Sequence, residues 1–80
     1  MNDTQIRGHI EELVAEEHQL LEHGENGKLT SEDRTRLDAI TIKLDQYWDL
    51  LRQRRARRDA GQDPGIAQMR NEEVVEHYRQ

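Results

Sequence analysis

The middle of the chain carries a heptad pattern that constrains its fold more than any other feature. Apolar residues recur at alternating steps of three and four, at Leu37, Ile40, Leu44, Tyr47 and Leu51. This spacing is typical of a coiled-coil seam, so it predicts a helix that packs against another helix. Thr30 is the predicted N-cap, with Asp33 in the capping-box position. Nothing breaks the pattern before Gly61, which predicts a helix over about 30–60.

A second amphipathic segment lies upstream and supplies the partner helix. Its apolar residues fall mostly three or four apart, at Ile6, Ile10, Leu13, Val14, Leu20 and Leu21. Asp3 or Thr4 is the predicted N-cap, and two glycines and an asparagine after His23 end the helix, which gives a range of about 4–23. Because short connections join antiparallel neighbours, we expect an all-α fold, an antiparallel two-helix hairpin over residues 1–61.

The expected register places a surplus of arginine at the end of the second helix. A turn centred near residue 26 or 27 puts Leu13 opposite Ile40 and Glu17 beside Arg36. The second helix then extends past the first by about ten residues, or ~15 Å. The residues predicted to pack the helices together are Ile6, Ile10, Leu13, Val14, Leu20, Leu37, Ile40 and Leu44.

A Gly-Gln-Asp-Pro-Gly segment stops the second helix. Residues 62–80 are predicted to form this break and a short C-terminal segment that folds back, within one domain overall. Asn71 is a predicted cap for a short helix in which Val74, Val75 and Tyr78 share a face. Whether this segment docks in cis or in trans stays open.

Charge is unevenly distributed along the chain. The sequence is 36% charged and only 32% hydrophobic, with a net charge of −5. Residues 3–25 carry seven acids and one Arg, whereas residues 52–58, RQRRARR, carry five Arg and no acid. So polar a chain has little apolar surface for a core of its own, and we expect it to dimerise into a helical bundle.

The arginine run supports two functional hypotheses. The first is a non-enzymatic protein-interaction module that acts as a homodimer or as an adaptor for an acidic protein surface. The alternative is a nucleic-acid-binding protein, in which Arg forks hold phosphates and aromatic rings stack on bases; the acidic balance of the chain argues against it. The residues predicted to bind a partner are Arg52, Arg54, Arg55, Arg57, Arg58, Trp48, Tyr47 and Leu51, although packing beside the seam is the favoured interpretation of Trp48.

Other chemistry is not indicated. The four His are interpreted as surface residues, because no Glu-x-x-His pair or inward acid on the second helix completes a metal site. Catalytic residues and cofactors are not expected, and a metal or ligand site between subunits is the weakest hypothesis. The absence of Cys, the polar start unlike a signal peptide and the lack of a ~20-residue apolar run predict a cytoplasmic protein without a membrane partner.

Three strings of residues resemble a known family. They are IxxLVAEEHxL from Ile10, LDQYWDLLRQRRARRDAGQDP from Leu44, and EEVVEHYRQ at the end. They are similar to a bacterial family of short proteins catalogued as domain of unknown function 2630, over nearly the whole chain. The resemblance implies a stand-alone protein and assigns no activity, cofactor, partner or catalytic residue.

Overall fold

The computed structural model describes residues 1–25, 27 and 29–71. It contains two long helices, α1 (Asp3–Glu25) and α2 (Ser31–Asp59), and a short 3-10 helix, Pro64–Ile66. α1 packs antiparallel against α2, which confirms the predicted all-α hairpin. Within the described ranges, no helix is long and apolar enough to cross a membrane. The helix predicted after Asn71 lies outside the described residues.

The start of α1 differs from the prediction. Asn2 Oδ1 accepts the N–H of Gln5 at 2.8 Å, and Gln5 Oε1 accepts the N–H of Asn2 at 2.9 Å. Asn2 is therefore the N-cap, and the prediction of Asp3 or Thr4 was wrong. Because the side chain of Asn2 caps the first turn, the carboxylate of Asp3 is available to side chains of α2.

α2 begins and ends with capping motifs that its sequence encodes. Thr30 Oγ1 accepts the N–H of Asp33 at 3.0 Å and the Asp33 carboxylate accepts the N–H of Thr30 at 3.1 Å, which confirms the predicted capping box. At the other end, the N–H of Gln62 donates to the carbonyl of Arg57 at 2.7 Å around Gly61, whose φ is 73°. Glycine adopts this left-handed conformation without strain, so Gly61 fixes where α2 stops.

The core lies at the open end of the hairpin. Its buried members are Ile6, Ile10, Tyr47, Leu50 and Leu51. Packed against them are the partly buried Leu13, Val14, Leu44, Ala67 and Met69. Towards the loop, Ile40 is fully buried, whereas Leu20 and Leu37 are half-buried. Every residue predicted to pack the two helices together is therefore at least partly covered.

The register is displaced from the predicted one. α1 ends at Glu25 and α2 begins at Ser31, so the midpoint between the two helices falls at position 28 and not at 26 or 27. This shift brings Asp3 against Arg54, and α2 ends only five residues further on, at Asp59. The predicted overhang of about ten residues was therefore wrong, because α1 reaches further along α2.

An ion pair near the loop also differs from the predicted one. Arg36 Nη2 donates to Glu16 Oε1 at 2.7 Å, where the prediction had Glu17. Both side chains of the observed pair are exposed, by 51% for Arg36 and 38% for Glu16. The guanidinium lowers the pKa of Glu16, chiefly through its hydrogen bonds. Exposure to water keeps the contribution of this pair to stability small.

The described part of the C-terminal segment docks in cis along one side of α2. Gln46 Nε2 donates to the carbonyl of Arg70 at 3.2 Å, and Gln53 Nε2 donates to the carbonyl of Gln68 at 2.7 Å. Asp49 lies buried beneath the segment and accepts a second bond from Gln53 at 2.9 Å. One side of the hairpin is thus covered by the chain itself.

Candidate functional site

The arginine run points in three directions, because successive residues on a helix are about 100° apart. Arg54 points into the hairpin and is only 9% exposed. Arg57 points towards the C-terminal segment, where its Nη1 donates to Gln62 Oε1 at 2.9 Å. Arg52 and Arg55 lie on a third side, away from both. The run is therefore not a single site, and each arginine must be considered separately.

Arg54 is held by the chain itself. Its Nε donates to Asp3 Oδ1 at 2.5 Å and its Nη1 donates to the carbonyl of Pro64 at 3.2 Å. The other oxygen of Asp3 pairs with Arg58 Nη2 at 3.1 Å. The hydrogen bonds from Arg54 and then Arg58 lower the pKa of Asp3 below its ordinary value. Arg54 thus joins α1, α2 and the segment after α2, which is a structural role.

Arg52, Arg55 and Arg58 of the run line a cleft together with Arg7, where the start of α1 meets the end of α2. Its volume is about 210 Å³. We call it the basic cleft, and its lining residues are Asp3, Arg7, Trp48, Leu51, Arg52, Arg55 and Arg58. Four guanidinium groups face one carboxylate, which gives a net charge of +3. In the part of the chain that the structure describes, no ion pair reaches Arg7, Arg52 or Arg55, so their charge is open to a partner.

Trp48 gives the basic cleft an apolar surface. It is the single tryptophan of the chain, and it is 44% exposed. Arg52 and Arg55 follow it by four and seven residues, which places all three on one face of α2. An indole between guanidinium groups offers both a flat apolar contact and charged forks that bind carboxylates or phosphates. Packing was the favoured interpretation of Trp48, and the structure instead leaves it exposed.

Tyr47, Leu51 and Arg7 require separate comment. Tyr47 and Leu51 were predicted to bind a partner; Tyr47 lies in the core, whereas Leu51 belongs to the core and also lines the basic cleft. Tyr47 also stacks on His9 with ring centroids 5.3 Å apart. Arg7 was not singled out from the sequence. The signal for it was its position four residues after Asp3, as the single Arg of an otherwise acidic helix.

A second groove lies on the other side of the hairpin. Its volume is about 540 Å³, and its lining residues are Leu13, Arg36, Ala39, Ile40, Ile42, Lys43, Gln46 and Asn71. It borders the docked C-terminal segment and carries no exposed aromatic ring. Among the described residues, no group of three or more His, Cys, Asp or Glu side chains is placed to hold a metal ion. The basic cleft is therefore the stronger candidate site.

These features define the class of the protein, a small antiparallel helical hairpin with a basic, tryptophan-containing cleft at its open end. The chain belongs to the family described as "Protein of unknown function (DUF2630)", whose model matches residues 2–80, and the resemblance seen in the sequence is thus confirmed. An uncharacterized protein of Mycobacterium bovis is 49% identical over 79 residues, covering 95% of this chain and 88% of its own length. Two uncharacterized proteins of Mycobacterium tuberculosis, from strains CDC 1551 and H37Rv, match with the same identity and coverage. No solved structure matches the chain.

Proposed function

We propose that the protein is a non-enzymatic interaction module whose basic cleft binds an acidic segment of a protein partner. One observation carries the proposal: the exposed Trp48 lies among arginines of both helices that have no ion pair within the described chain. The other arginines of the run are already engaged, Arg54 with Asp3 and Arg57 with Gln62. The cleft is thus a separate surface and not a by-product of the helix packing.

Trp48 is expected to supply most of the binding free energy. Its 44% exposure corresponds to on the order of 100 Å² of surface, and covering that area contributes about 2.5 kcal/mol. Each exposed Arg–carboxylate pair contributes only about 0.5 kcal/mol. The arginines therefore set the orientation and the sign of the partner's charge, whereas the indole provides the anchor.

A protein segment suits the basic cleft better than a nucleic acid does. The chain as a whole carries a net charge of −5, so its long-range field opposes a polyanion. The positive charge is confined to four arginines around Trp48 and Leu51. An amphipathic helix with a few Glu and Leu side chains can place its carboxylates on these arginines and its apolar side chains on the indole.

Titration of the intrinsic fluorescence of Trp48 tests the proposal. The probe is a synthetic 18-residue helical peptide with a Leu stripe flanked by Glu, and burial of the indole should shift its emission to the blue. The double variant Arg52→Gln/Arg55→Gln should weaken binding at least about fivefold, from the loss of two exposed pairs. Arg34→Gln is the matched control, because Arg34 is exposed in the first turn of α2 and does not line the basic cleft.

Each outcome decides between the hypotheses. Absence of a fluorescence change up to about 1 mM peptide would overturn the proposal. A tighter complex with single-stranded oligo(dT), quenched fluorescence and a steep loss of affinity with salt would favour the nucleic-acid alternative instead.

A cytoplasmic location remains a prediction, and fractionation of cells that express the tagged protein tests it.

A further inference from the structure

The residues on one face of α1 are spaced symmetrically along the helix. Beginning at Arg7 of the basic cleft, steps of four, three, four, three and four residues keep to a single helical stripe. We call it the α1 stripe, and its members are Arg7, Glu11, Val14, His18, Leu21 and Glu25. The positions are symmetric about residue 16. An antiparallel second copy of α1 therefore places Arg7 beside Glu25, Glu11 beside Leu21, and Val14 beside His18.

The α1 stripe, whose Val14 also packs against the core, lies on the side of the hairpin that the described part of the C-terminal segment does not cover. Arg7 lines the basic cleft with Trp48, whereas the segment packs on the side of α2 that carries Gln46 and Gln53. Leu21 is 47% exposed and Trp48 is 44% exposed. Opposite charges lie at the two ends of the stripe, and its aliphatic residues lie between them. This arrangement suits an isologous contact, in which the same patch serves both copies.

We propose that the acidic segment bound on this side is α1 of a second copy of the chain, packed antiparallel about a two-fold axis near residue 16. This inference rests on the proposed function, since it names a partner for the surface that shares Arg7 with the basic cleft. Arg7 of each copy then pairs with Glu25 of the other, and Leu21 and Val14 lose their contact with water. The product is a four-helix bundle in which the acidic first helices meet.

The size of the surface predicts how strongly the copies associate. From Arg7 to Glu25 the stripe is about 27 Å long, and two helices side by side are about 20 Å wide. The contact is therefore on the order of 500 Å² per copy, below the ~800 Å² that is usual for stable complexes. We expect a reversible dimer that dissociates at micromolar concentrations, and not an obligate one.

Sedimentation velocity from about 5 µM to 1 mM tests the proposal with charge-swap variants. Arg7→Glu and Glu25→Arg each replace two symmetric attractions by repulsions, and each should raise the dimer dissociation constant about 30-fold or more. An equimolar mixture of the two variants should recover association, because both contacts between positions 7 and 25 in the mixed dimer join a Glu to an Arg. Lys43→Glu and Glu12→Arg are the matched controls, since both residues line the opposite side of the hairpin.

The outcomes separate this inference from the function on which it rests. Recovery in the mixture cannot arise from misfolding, so it supports the antiparallel contact. A wild-type chain that stays monomeric at 1 mM, or a dimer that neither variant weakens, would overturn the second-copy assignment. In that event the Glu25→Arg variant, which keeps the basic cleft intact, is titrated with the acidic peptide. Binding of the peptide would preserve the proposed function, and its absence would overturn that as well.

Discussion

Replacing Arg54 by methionine measures how much the contacts of this side chain contribute to the free energy of unfolding. These contacts join α1, α2 and the segment after α2. Methionine keeps the buried methylene groups and removes the guanidinium. The change deletes one charge-assisted hydrogen bond to Asp3, worth about 1.5–3 kcal/mol, and one bond to the carbonyl of Pro64, worth about 1 kcal/mol. Asp3 keeps Arg58 and is 31% exposed, so water and that second arginine recover part of the loss. We expect a net destabilisation of about 2 kcal/mol.

Urea unfolding followed by circular dichroism at 222 nm measures this loss. With an m-value of about 1 kcal/mol/M for a small domain, the midpoint should fall by about 2 M. Arg55→Met is the control, because it removes a neighbouring arginine that lines the basic cleft and has no ion pair among the described residues. Its free energy of unfolding should stay within about 0.5 kcal/mol of wild type.

The ion pair of Asp3 and Arg54 also predicts how the stability of the fold depends on pH. Arg54 lowers the pKa of Asp3 in the folded chain, so the pair stabilises the fold at pH values above the ordinary pKa of 3.8. As pH falls below 3.8 and through the lowered pKa, Asp3 takes up a proton and this stabilisation is lost. The difference between wild type and Arg54→Met should therefore narrow under acid conditions. Equal free energies of unfolding for Arg54→Met and Arg55→Met would refute the structural role of Arg54. So would a difference in stability between wild type and Arg54→Met that stays constant from pH 5 to pH 2.

Other substitutions test separate parts of the fold, all by the same unfolding measurement. Ile6→Ala should cost about 3 kcal/mol because Ile6 has no exposed surface, and a loss below 1 kcal/mol would contradict the core assignment. Gly8→Ala should stabilise the chain by about 0.5–1 kcal/mol, since Gly8 lies within α1 and a Cβ there meets nothing within 4 Å. Gly27→Ala should instead destabilise it by about 1 kcal/mol, because the φ of Gly27 is +74°. Thr30→Ala removes the cap of α2 and should cost about 1 kcal/mol, whereas Thr30→Asn should retain most of the stability.

The sequence predicted the hairpin because its two strongest signals are local. A stripe of steps of three and four specifies a helix and its buried face, and the Thr30 capping box specifies where α2 begins. The register is not local, because it depends on how many residues the loop takes up. The predicted loop midpoint lay before the observed one, which placed the start of α1 too early along α2. The same error created an overhang that the structure replaces with the pair of Asp3 and Arg54.

The docking of the C-terminal segment could not be predicted from apolar periodicity. Gln46 and Gln53 hold the segment by donating to its backbone carbonyls, and such bonds carry no sequence signature on the acceptor side. Asp49 lies between them at helical spacing, and it is buried where Arg70 of the segment contacts it. A polar stripe at positions 46, 49 and 53 looks like a solvated helix face. Only the path of the chain after Gly61 shows that this face is covered by the segment and not exposed to solvent.

The division of the arginine run determines which experiment can be interpreted. A variant that replaces all five arginines would remove the buried partner of Asp3, the contact of Arg57 with Gln62 and the charge of the basic cleft at once. Lost binding would then follow from a weakened hairpin as readily as from a missing site. Arg52 and Arg55 avoid this difficulty, because they lie on the face of Trp48 and support no other described element. A binding defect confined to these two positions, with unfolding unchanged, separates a surface that contacts a partner from the charges that keep the hairpin closed.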